Sequence, residues 1–388
     1  MEECIFLGMY QDYYKLRNNQ GIDALFEKDF LKNAMLNKTI YVKNLVLNNN
    51  EIVNTKSLKI MEFRNSIDRL IKMFKVTNKS NNLFEVVQDG VYLINTSIIF
   101  IEDYVEDVLF KNILKIHNDI ETLKVIGGSG IVDCSNMFYA CEYLRHLDLT
   151  LLDTSNAMCM QGMFCLSKHL QTIKLGYFDT SKVEEMNSMF AKCYCLKSVD
   201  VTTFDTSNVR LMSSMFDACY DLEKLDVSNF DTSNVRDMRY MFQDCRTLTE
   251  LNVSNFDTSI VFHMQYMFSG CENLKKLNVS NFNTINVGDM RGMFEDCMSL
   301  KELDIRNFNT SNVDDMCYMF QDCKNLESLD LSNFNTEKLE YIDDIFKNCE
   351  KLKVFNISSL YRLGADRLLK AMDGCSIEMR NKVRGEVI

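Results

Sequence analysis

Apolar and polar residues recur along most of the chain in a pattern that repeats every 26 residues. A Met-Phe pair, replaced by Ile-Phe in the last full copy, returns at that interval through nine copies. The first residues of these pairs are Met137, Met163, Met189, Met215, Met241, Met267, Met293, Met319 and Ile345. A strict period of this length predicts a repeat solenoid, in which each repeat forms one coil and buries its apolar side chains against neighbouring coils.

One copy indicates which elements a coil should contain. Leu225 and Val227 lie two residues apart on one face, which is typical of a short strand. After a polar turn, the apolar residues of Val235–Cys245 recur at steps of three and four, which predicts a short helix. Thr232 or Ser233 stands where its side chain would cap that helix. We therefore predict one short parallel β-strand and one short helix in each 26-residue repeat.

Residues 1–118 do not share this repeat and form a predicted domain of mixed α/β type. Alternating apolar residues predict a strand over Thr39–Leu47, and an apolar stripe predicts a helix over Ser57–Phe74. The segment Val86–Leu93 predicts a β-hairpin, because its central Asp-Gly suits a type I′ turn. A further helix is predicted over Val105–Ile116, where it would lead into the repeats.

The sequence thus divides into three parts. The domain at 1–118 either caps the first coil, whose core would otherwise face water, or recruits another molecule. The solenoid occupies residues 119–375 and contains about ten repeats, the last of them degenerate. Residues 376–388 form a C-terminal cap or tail.

The repeats resemble a known family. The copies Leu222–Cys245, which reads LEKLDVSNFDTSNVRDMRYMFQDC, and Leu326–Cys349 are similar to those of the BspA-like leucine-rich-repeat family, in its 26-residue form of bacterial surface proteins. The resemblance covers the chain from about Ile120 to Cys375. It implies a leucine-rich-repeat-like solenoid without enzymatic activity, used in adhesion or protein binding.

Composition narrows the choice of partners and of location. The 43 Lys and Arg residues against 55 Asp and Glu give a net charge of −12. An acidic surface repels phosphate backbones, so nucleic acid is not expected as a partner. The most apolar stretch, Val91–Phe110, is interrupted by Asn95 and four acidic residues, so no membrane span is predicted. The N-terminus lacks the basic and apolar segments of a signal peptide. We therefore expect a cytoplasmic or virion protein, with the cell surface as the alternative.

Stacked repeats turn each repeat position into a column of like residues. Nine cysteines form one column, interrupted by Ser167: Cys141, Cys193, Cys219, Cys245, Cys271, Cys297, Cys323, Cys349 and Cys375. The sequence has no C-x-x-C pair, so we interpret this column as buried structural thiols rather than a zinc or redox site. A turn column changes from Asp to Asn at Asn283, which favours turn hydrogen bonds over calcium binding. We predict no metal and no cofactor.

Two surfaces are candidates for binding a protein partner. The first is the exposed face of the predicted sheet, where Lys224, Glu250, Lys276 and Glu302 alternate in charge along one column. Arg306 interrupts a neighbouring column of Ser and Thr. Opposite charges on adjacent strands are expected to pair, and no aromatic residue stands in these columns, so this face is expected to be hydrated.

The second surface, which we prefer, lies on the outer side of the predicted helix. Tyr240, Tyr266 and Tyr318 precede the Met-Phe pair, and Arg239 and Arg291 stand one position earlier in the repeat. Tyr and Arg are common in binding hot spots. The alternative is that each ring packs over the neighbouring repeat.

The sequence contains no recognisable catalytic motif. The four histidines have no Cys or Ser motif beside them, and Gly127–Gly130 lacks the Lys-Ser/Thr of a P-loop. We therefore expect a non-catalytic protein-binding scaffold and no enzyme. The alternatives are a cell-surface adhesin of the BspA-like type, sensor repeats fused to an N-terminal effector domain, and self-assembly by end-to-end stacking.

Overall fold

The computed structural model describes residues 4–10, 13–18, 23–27, 84–88, 91–94, 98–101, 108, 120–176 and 178–387. The chain divides into two compact units. The first contains Met1–Ile101 and Lys124–Gly127, and the second contains Glu102–Leu123 and Gly128–Ile388. The three-part division into residues 1–118, 119–375 and 376–388 stays a prediction.

The first unit contains short β-strands in two groups. One group consists of β1 (Cys4–Tyr10), β2 (Tyr13–Asn18) and β3 (Asp23–Glu27). These strands pair antiparallel in sequential order, so that β2 lies in the middle of a three-stranded sheet.

The second group confirms the predicted hairpin. Strands β4 (Phe84–Gln88) and β5 (Val91–Ile94) pair antiparallel, and the Asp89-Gly90 turn between them lies outside the described residues. Strand β6 (Ile98–Ile101) pairs antiparallel with β5. Its other edge pairs parallel with the last four residues of β7 (Thr122–Gly127).

Three other elements predicted before residue 118 fall on residues that the structure does not describe. Thr39–Leu47 and Ser57–Phe74 lie wholly outside the described residues, and only Val108 of Val105–Ile116 lies inside them. The mixed α/β cap therefore stays a prediction.

The second unit consists of coils that repeat every 26 residues in space as well as in sequence. Strands β8 (His146–Leu152) and β9 (Thr172–Lys174) pair in parallel, with His146 opposite Thr172. The remaining strands on this side are β10 (Glu250–Leu251), β11 (Lys276–Leu277), β12 (Ser328–Asp330) and β13 (Val354–Asn356). They pair as β10 with β11 and β12 with β13, again in parallel and again 26 residues apart.

A second line of parallel bridges crosses the coils at another side. Each bridge joins residues 26 apart, and together they connect nine coils without a gap. The residues on this line are Asp133, Cys159, Glu185, Leu211, Asp237, His263, Asp289, Asp315 and Tyr341. The repeated units and their short parallel strands fit the predicted repeat solenoid.

The short helix predicted in each repeat is wrong. Over Val235–Cys245 the backbone forms consecutive tight turns. Alternate N–H groups donate to the next coil, as Tyr240 N does to Gln265 O at 2.9 Å. Tyr240 (φ 59°) and Asp244 (φ 55°) adopt the left-handed conformation, which cannot continue an α-helix. An apolar spacing of three and four residues therefore fits a run of turns as well as a helix.

Helices in the described part of the chain occur at its C-terminal end. A 3₁₀ helix spans Ser358–Leu363, and two α-helices follow, α1 (Ala365–Ala371) and α2 (Ile377–Val387). Helix α2 falls within the segment 376–388 that we predict as a cap or tail, and its residues Met379 and Val383 are buried.

Stacked aromatic rings fill the core of the coils. The rings of Phe216 and Phe242 lie 5.9 Å apart with planes within 3° of each other. The same stack continues without a break from Phe138 to Phe346. Met238 and Met241 are fully buried, as are the methionines at the equivalent positions of the other coils, so these two methionine columns are part of the core. Burial of each such side chain contributes about 2 kcal/mol.

A ladder of buried threonines joins successive coils. Oγ1 of Thr232 donates a hydrogen bond to the carbonyl oxygen of Asp257 in the next coil, at 2.9 Å. The ladder comprises Thr154, Thr180, Thr206, Thr232, Thr258, Thr284, Thr310 and Thr336. The expectation that Thr232 or Ser233 caps a helix is therefore wrong, because no helix begins there and the Thr232 hydroxyl bonds between coils.

Substituting Thr232 with valine should destabilise the solenoid by about 1–2 kcal/mol. Valine keeps the shape of threonine, but it removes the donor and leaves the carbonyl of Asp257 without this part-buried bond. The adjacent Ser233→Ala provides a matched control, since Ser233 is exposed, and it should change stability by less than about 0.5 kcal/mol. Urea unfolding followed by circular dichroism measures both. Equal losses for the two variants would contradict the ladder.

Candidate partner-binding surface

The exposed sheet face places the predicted charged residues in register but does not pair them. Lys224, Glu250, Lys276 and Glu302 are all exposed, and Glu250 lies directly opposite Lys276. Within the described residues, none of the four forms an ion pair shorter than 4.0 Å, so the expected pairing is wrong. Exposed ion pairs gain little energy and restrict two long side chains, so nothing holds these charges together.

Other polar groups on the sheet face are engaged with their own turns. Asp226 Oδ1 accepts hydrogen bonds from both N and Oγ of Ser228, at 3.0 and 2.6 Å, and these bonds lower the pKa of Asp226. Arg306 donates through Nε and Nη2 to Asp304 at 3.0 and 2.9 Å. Those bonds lower the pKa of Asp304 to about 2. The sheet face is therefore largely self-satisfied.

The predicted tyrosine surface is only partly continuous. The rings of Tyr240 and Tyr266 stack with centroids 5.3 Å apart. The ring of Tyr266 extends over Gly292, where a Cβ atom would collide with it. Tyr318 stands one coil beyond Gly292 and is separated from Tyr266 by that coil. Each of these two rings thus packs over the neighbouring repeat and is half-buried. Packing over the neighbouring repeat was the alternative to a binding surface in the sequence analysis.

The two predicted arginines are held beside these rings by buried carboxylates. Arg239 donates through Nε to Asp237 at 2.9 Å and also pairs with it through Nη2. Arg291 pairs with Asp315, through Nε at 3.1 Å and through Nη2. The aspartate side chains are 8% and 7% exposed, whereas the arginines are 47% and 43% exposed. The guanidinium groups are therefore fixed in direction but still reach the solvent.

A second aromatic stack lies a few positions after the first in the repeat, and it was not predicted from the sequence. The rings of Tyr194 and Tyr220 stack at 4.6 Å, and the guanidinium of Arg246 lies 4.3 Å above Tyr220. Arg246 also pairs with Asp244 at 2.9 Å. The three stacked residues are 26 apart, so their common column was available as a signal. We call the positions equivalent to Arg239, Tyr240, Gln243, Asp244 and Arg246 in all coils the turn edge; the positions between them belong to the core.

Carboxylates on the turn edge are partly buried near one another. Burial raises the pKa of Asp217 to about 6, the charge of Lys192 opposes that rise, and the charge of Asp244 adds to it. Burial likewise raises the pKa of Glu295 to about 7, and the charge of Asp296 adds to the effect. The turn edge therefore combines rigid Tyr and Arg side chains with negative charge that is incompletely solvated.

The cysteine column is part of the core. Cys245 is fully buried, and its Sγ donates to the carbonyl oxygen of Phe216 at 3.3 Å. Ser167 makes the equivalent bond to Phe138 O at 2.6 Å, so a hydroxyl replaces a thiol without loss of the contact. Burial raises the pKa of the Cys271 thiol to about 12. These contacts support the interpretation of the column as structural thiols.

The Asp and Asn column behaves as a turn column. Asp231 Oδ1 accepts a hydrogen bond from the N–H of Ser233 at 2.9 Å, and Asn283 Oδ1 accepts one from Ile285 at 3.2 Å. Both residue types use the oxygen that they share, as predicted. Within the described residues, no group of three or more His, Cys, Asp or Glu side chains is arranged to hold a metal ion.

Comparison with models of known protein families finds a match to the repeats. The family model described as "Mycoplasma protein of unknown function, DUF285" matches residues 132–249, 212–302 and 266–361. Together these overlapping matches span 132–361, more than half of the 388 residues. The chain belongs to this family. No curated protein and no solved structure matches it. The DUF285 matches coincide with the coils, so the Tyr and Arg stacks lie on repeats of this family.

Among the residues that the structure describes, no helix is long and apolar enough to cross a membrane.

Replacing Glu295 with glutamine should raise the melting temperature at about pH 8 but not at about pH 4. In the folded protein the pKa of Glu295 is about 7, above the ordinary 4.5. The protonated carboxyl group therefore contributes its whole stabilisation at low pH, and this contribution is lost as the pH rises through 7. Glutamine removes that loss, and the expected gain is about 1–3 °C after allowance for solvent exposure. Calorimetry at both pH values measures it.

Glutamine suits this position, because Gln243 and Gln321 occupy the same column in other coils. Glu302→Gln on the exposed sheet face is the control and should leave the melting temperature unchanged at both pH values. A gain of equal size for Glu295→Gln at both pH values would refute the explanation.

Proposed function

We propose that this chain is a non-catalytic scaffold whose turn edge binds another protein through a basic surface of that partner. The observation that carries the proposal is the presence, on one edge, of pre-stacked Tyr and Arg side chains beside carboxylates that burial has partly desolvated.

Rigidity favours the turn edge as a binding surface. Tyr240 and Tyr266 stack on each other, and Arg246 stacks on Tyr220. Side chains that are already fixed lose little conformational entropy when a partner binds. Tyr and Arg are also the residues that most often dominate binding energy.

The carboxylates indicate the chemistry of the partner. Asp217 and Glu295 have raised pKa values because they are partly buried near other acids. A lysine or arginine from a partner would favour the ionised forms of both carboxylates, as the charge of Lys192 already does at Asp217. The net charge of −12 adds long-range attraction for a basic protein.

The sheet face fits this role less well. Its carboxylates Asp226 and Asp304 are engaged with Ser228 and Arg306, and the charges along its outer column alternate in sign. Lys224, Glu250, Lys276, Glu302 and Arg306 were proposed as contacts, and we retain them as the comparison surface.

We also propose a BspA-like relationship for the repeats and a reducing compartment for the protein. The BspA-like leucine-rich-repeat resemblance supports protein binding and no catalysis. The fourteen cysteines between Cys134 and Cys375 are all free thiols, which suits a reducing compartment such as the cytoplasm, or a virion assembled there. A cell-surface adhesin is the alternative.

A pull-down with the full chain tests the proposal. Wild type, a turn-edge variant (Tyr220→Ala with Tyr266→Ala) and a sheet-face variant (Lys224→Ala with Glu302→Ala) are used as baits in lysate of the source cells. We expect a basic protein to be captured by wild type and by the sheet-face variant, and at least tenfold less by the turn-edge variant. Melting temperatures establish that both variants are folded.

Two further measurements sharpen this result. Affinity for the captured protein should increase from about pH 6 to about pH 8, because Asp217 and Glu295 become ionised over that range. It should also fall as salt is added. Loss of capture with the sheet-face variant alone, or capture of acidic proteins only, would refute the turn edge as the site.

A further inference from the structure

A line of outward-facing residues runs along one side of the coils, one position before the second line of bridges. The line begins with Val132, Met158 and Glu184 and continues with Arg210, Arg236, Phe262, Gly288, Asp314 and Glu340. We call the last six positions the flank row. Backbone hydrogen bonds connect neighbours on the row, such as Phe262 N to Arg236 O at 3.0 Å and Asp314 N to Gly288 O at 2.9 Å. Successive members are therefore spaced like adjacent strands, about 4.8 Å apart.

The charges of the flank row are complementary to the same charges taken in the opposite order. Two cations come first, then Phe262 and Gly288, then two anions. We propose that the flank row is an interface between two copies of this chain, which lie antiparallel about a two-fold axis passing midway between Phe262 and Gly288. Such an interface uses the same patch on both copies.

This axis creates a complementary pair at every step of the row. Arg236 of one copy meets Asp314 of the second, and Arg210 meets Glu340. Phe262 meets Gly288, so a ring stands opposite a position without a side chain. Each pairing occurs twice, once on either side of the axis, which gives four opposite-charge pairs around an apolar centre.

The charged members of the row are available for these contacts. Arg236, Asp314 and Glu340 are exposed, and in the part of the chain that the structure describes their side chains form no hydrogen bond or ion pair. Arg210 pairs with Glu184 at 3.2 Å yet remains 60% exposed. Opposite charges that line up along a surface promote association and fix its register.

Exposed apolar side chains lie where the axis passes. Phe262 is 49% exposed in a row whose other side chains are all charged, and Ile285 is 44% exposed in a column of mainly Ser. These two residues lie in adjacent coils. Two further exposed apolar residues of the same line, Val132 and Met158, lie outside the flank row. A Cβ atom on Gly288 would meet only Asn312 O, at 3.9 Å, so the space in front of it is open. An apolar centre within a polar rim is the usual arrangement of a protein interface.

Charge also selects the position of the axis. If the axis passed through Phe262 itself, Arg210 would face Asp314 of the second copy, but Glu184 would face Glu340 and Arg236 would face Gly288. Like charges opposed in an interface are unfavourable. The axis between Phe262 and Gly288 is thus the better register.

Analytical ultracentrifugation of the full chain tests the proposal. Wild type should form a dimer as its concentration is raised to about 100 µM, and salt should weaken that dimer. Arg236→Asp and Asp314→Arg should each weaken self-association at least tenfold, because each places like charges together twice. Phe262→Ser should have a similar effect. Lys224→Ala on the sheet face is the control and should dimerise like wild type.

Rescue separates this interface from a general loss of folding. The double variant Arg236→Asp/Asp314→Arg restores opposite charges in both pairs and should dimerise again. A mixture of the two single variants should form a heterodimer, although neither associates with itself, and differently tagged chains reveal it by co-purification. Melting temperatures show that every variant is folded.

Several results would overturn the proposal. The wild-type chain could stay monomeric over the whole concentration range. The single charge reversals could leave the dimer intact, or the double variant could fail to restore it. Growth beyond a dimer into longer assemblies would likewise overturn it, since a two-fold interface closes after two copies.

Discussion

The hydrogen-bond register between successive coils is the constraint on which the rest of this structure depends. In the turns, every second backbone N–H donates a hydrogen bond to a carbonyl oxygen of the following coil. Thr232 and its equivalents add a side-chain hydrogen bond in the same direction. Because every such bond spans about one repeat, like residues are held above one another. Aromatic stacks, thiols and surface columns are consequences of that register.

The register also explains how one repeat sequence produces different surfaces. Columns that face inward are nearly uniform, as the buried Phe, Met and Cys columns are, because a change there would leave a void in a stacked core. Outward columns are free to vary from coil to coil. The tyrosines of the turn edge and the exposed Phe262 are such variations, and for that reason we assign binding to them.

Much of this architecture could be predicted from the sequence, and the errors have physical causes. A 26-residue period specifies a solenoid and its core columns, since stacking demands it. The helix over Val235–Cys245 was wrong because tight turns place apolar residues at the same spacing, and left-handed Tyr240 is not visible in a pattern. The Tyr194–Tyr220 stack was overlooked, although its 26-residue spacing was present. The predicted pairing of Glu250 with Lys276 was wrong because two exposed charges that lie side by side gain little energy from contact in water.

Deletion of one complete coil tests the central claim most directly. Removing residues 222–247 joins Asp221 to Leu248 and leaves every column in register, so the protein should keep a cooperative unfolding transition and its circular dichroism per residue. Removing 222–234, half of that coil, places turn residues against strand residues and should abolish the cooperative transition. The account is contradicted if both deletions are tolerated equally, or if the full-coil deletion unfolds while the half-coil deletion does not.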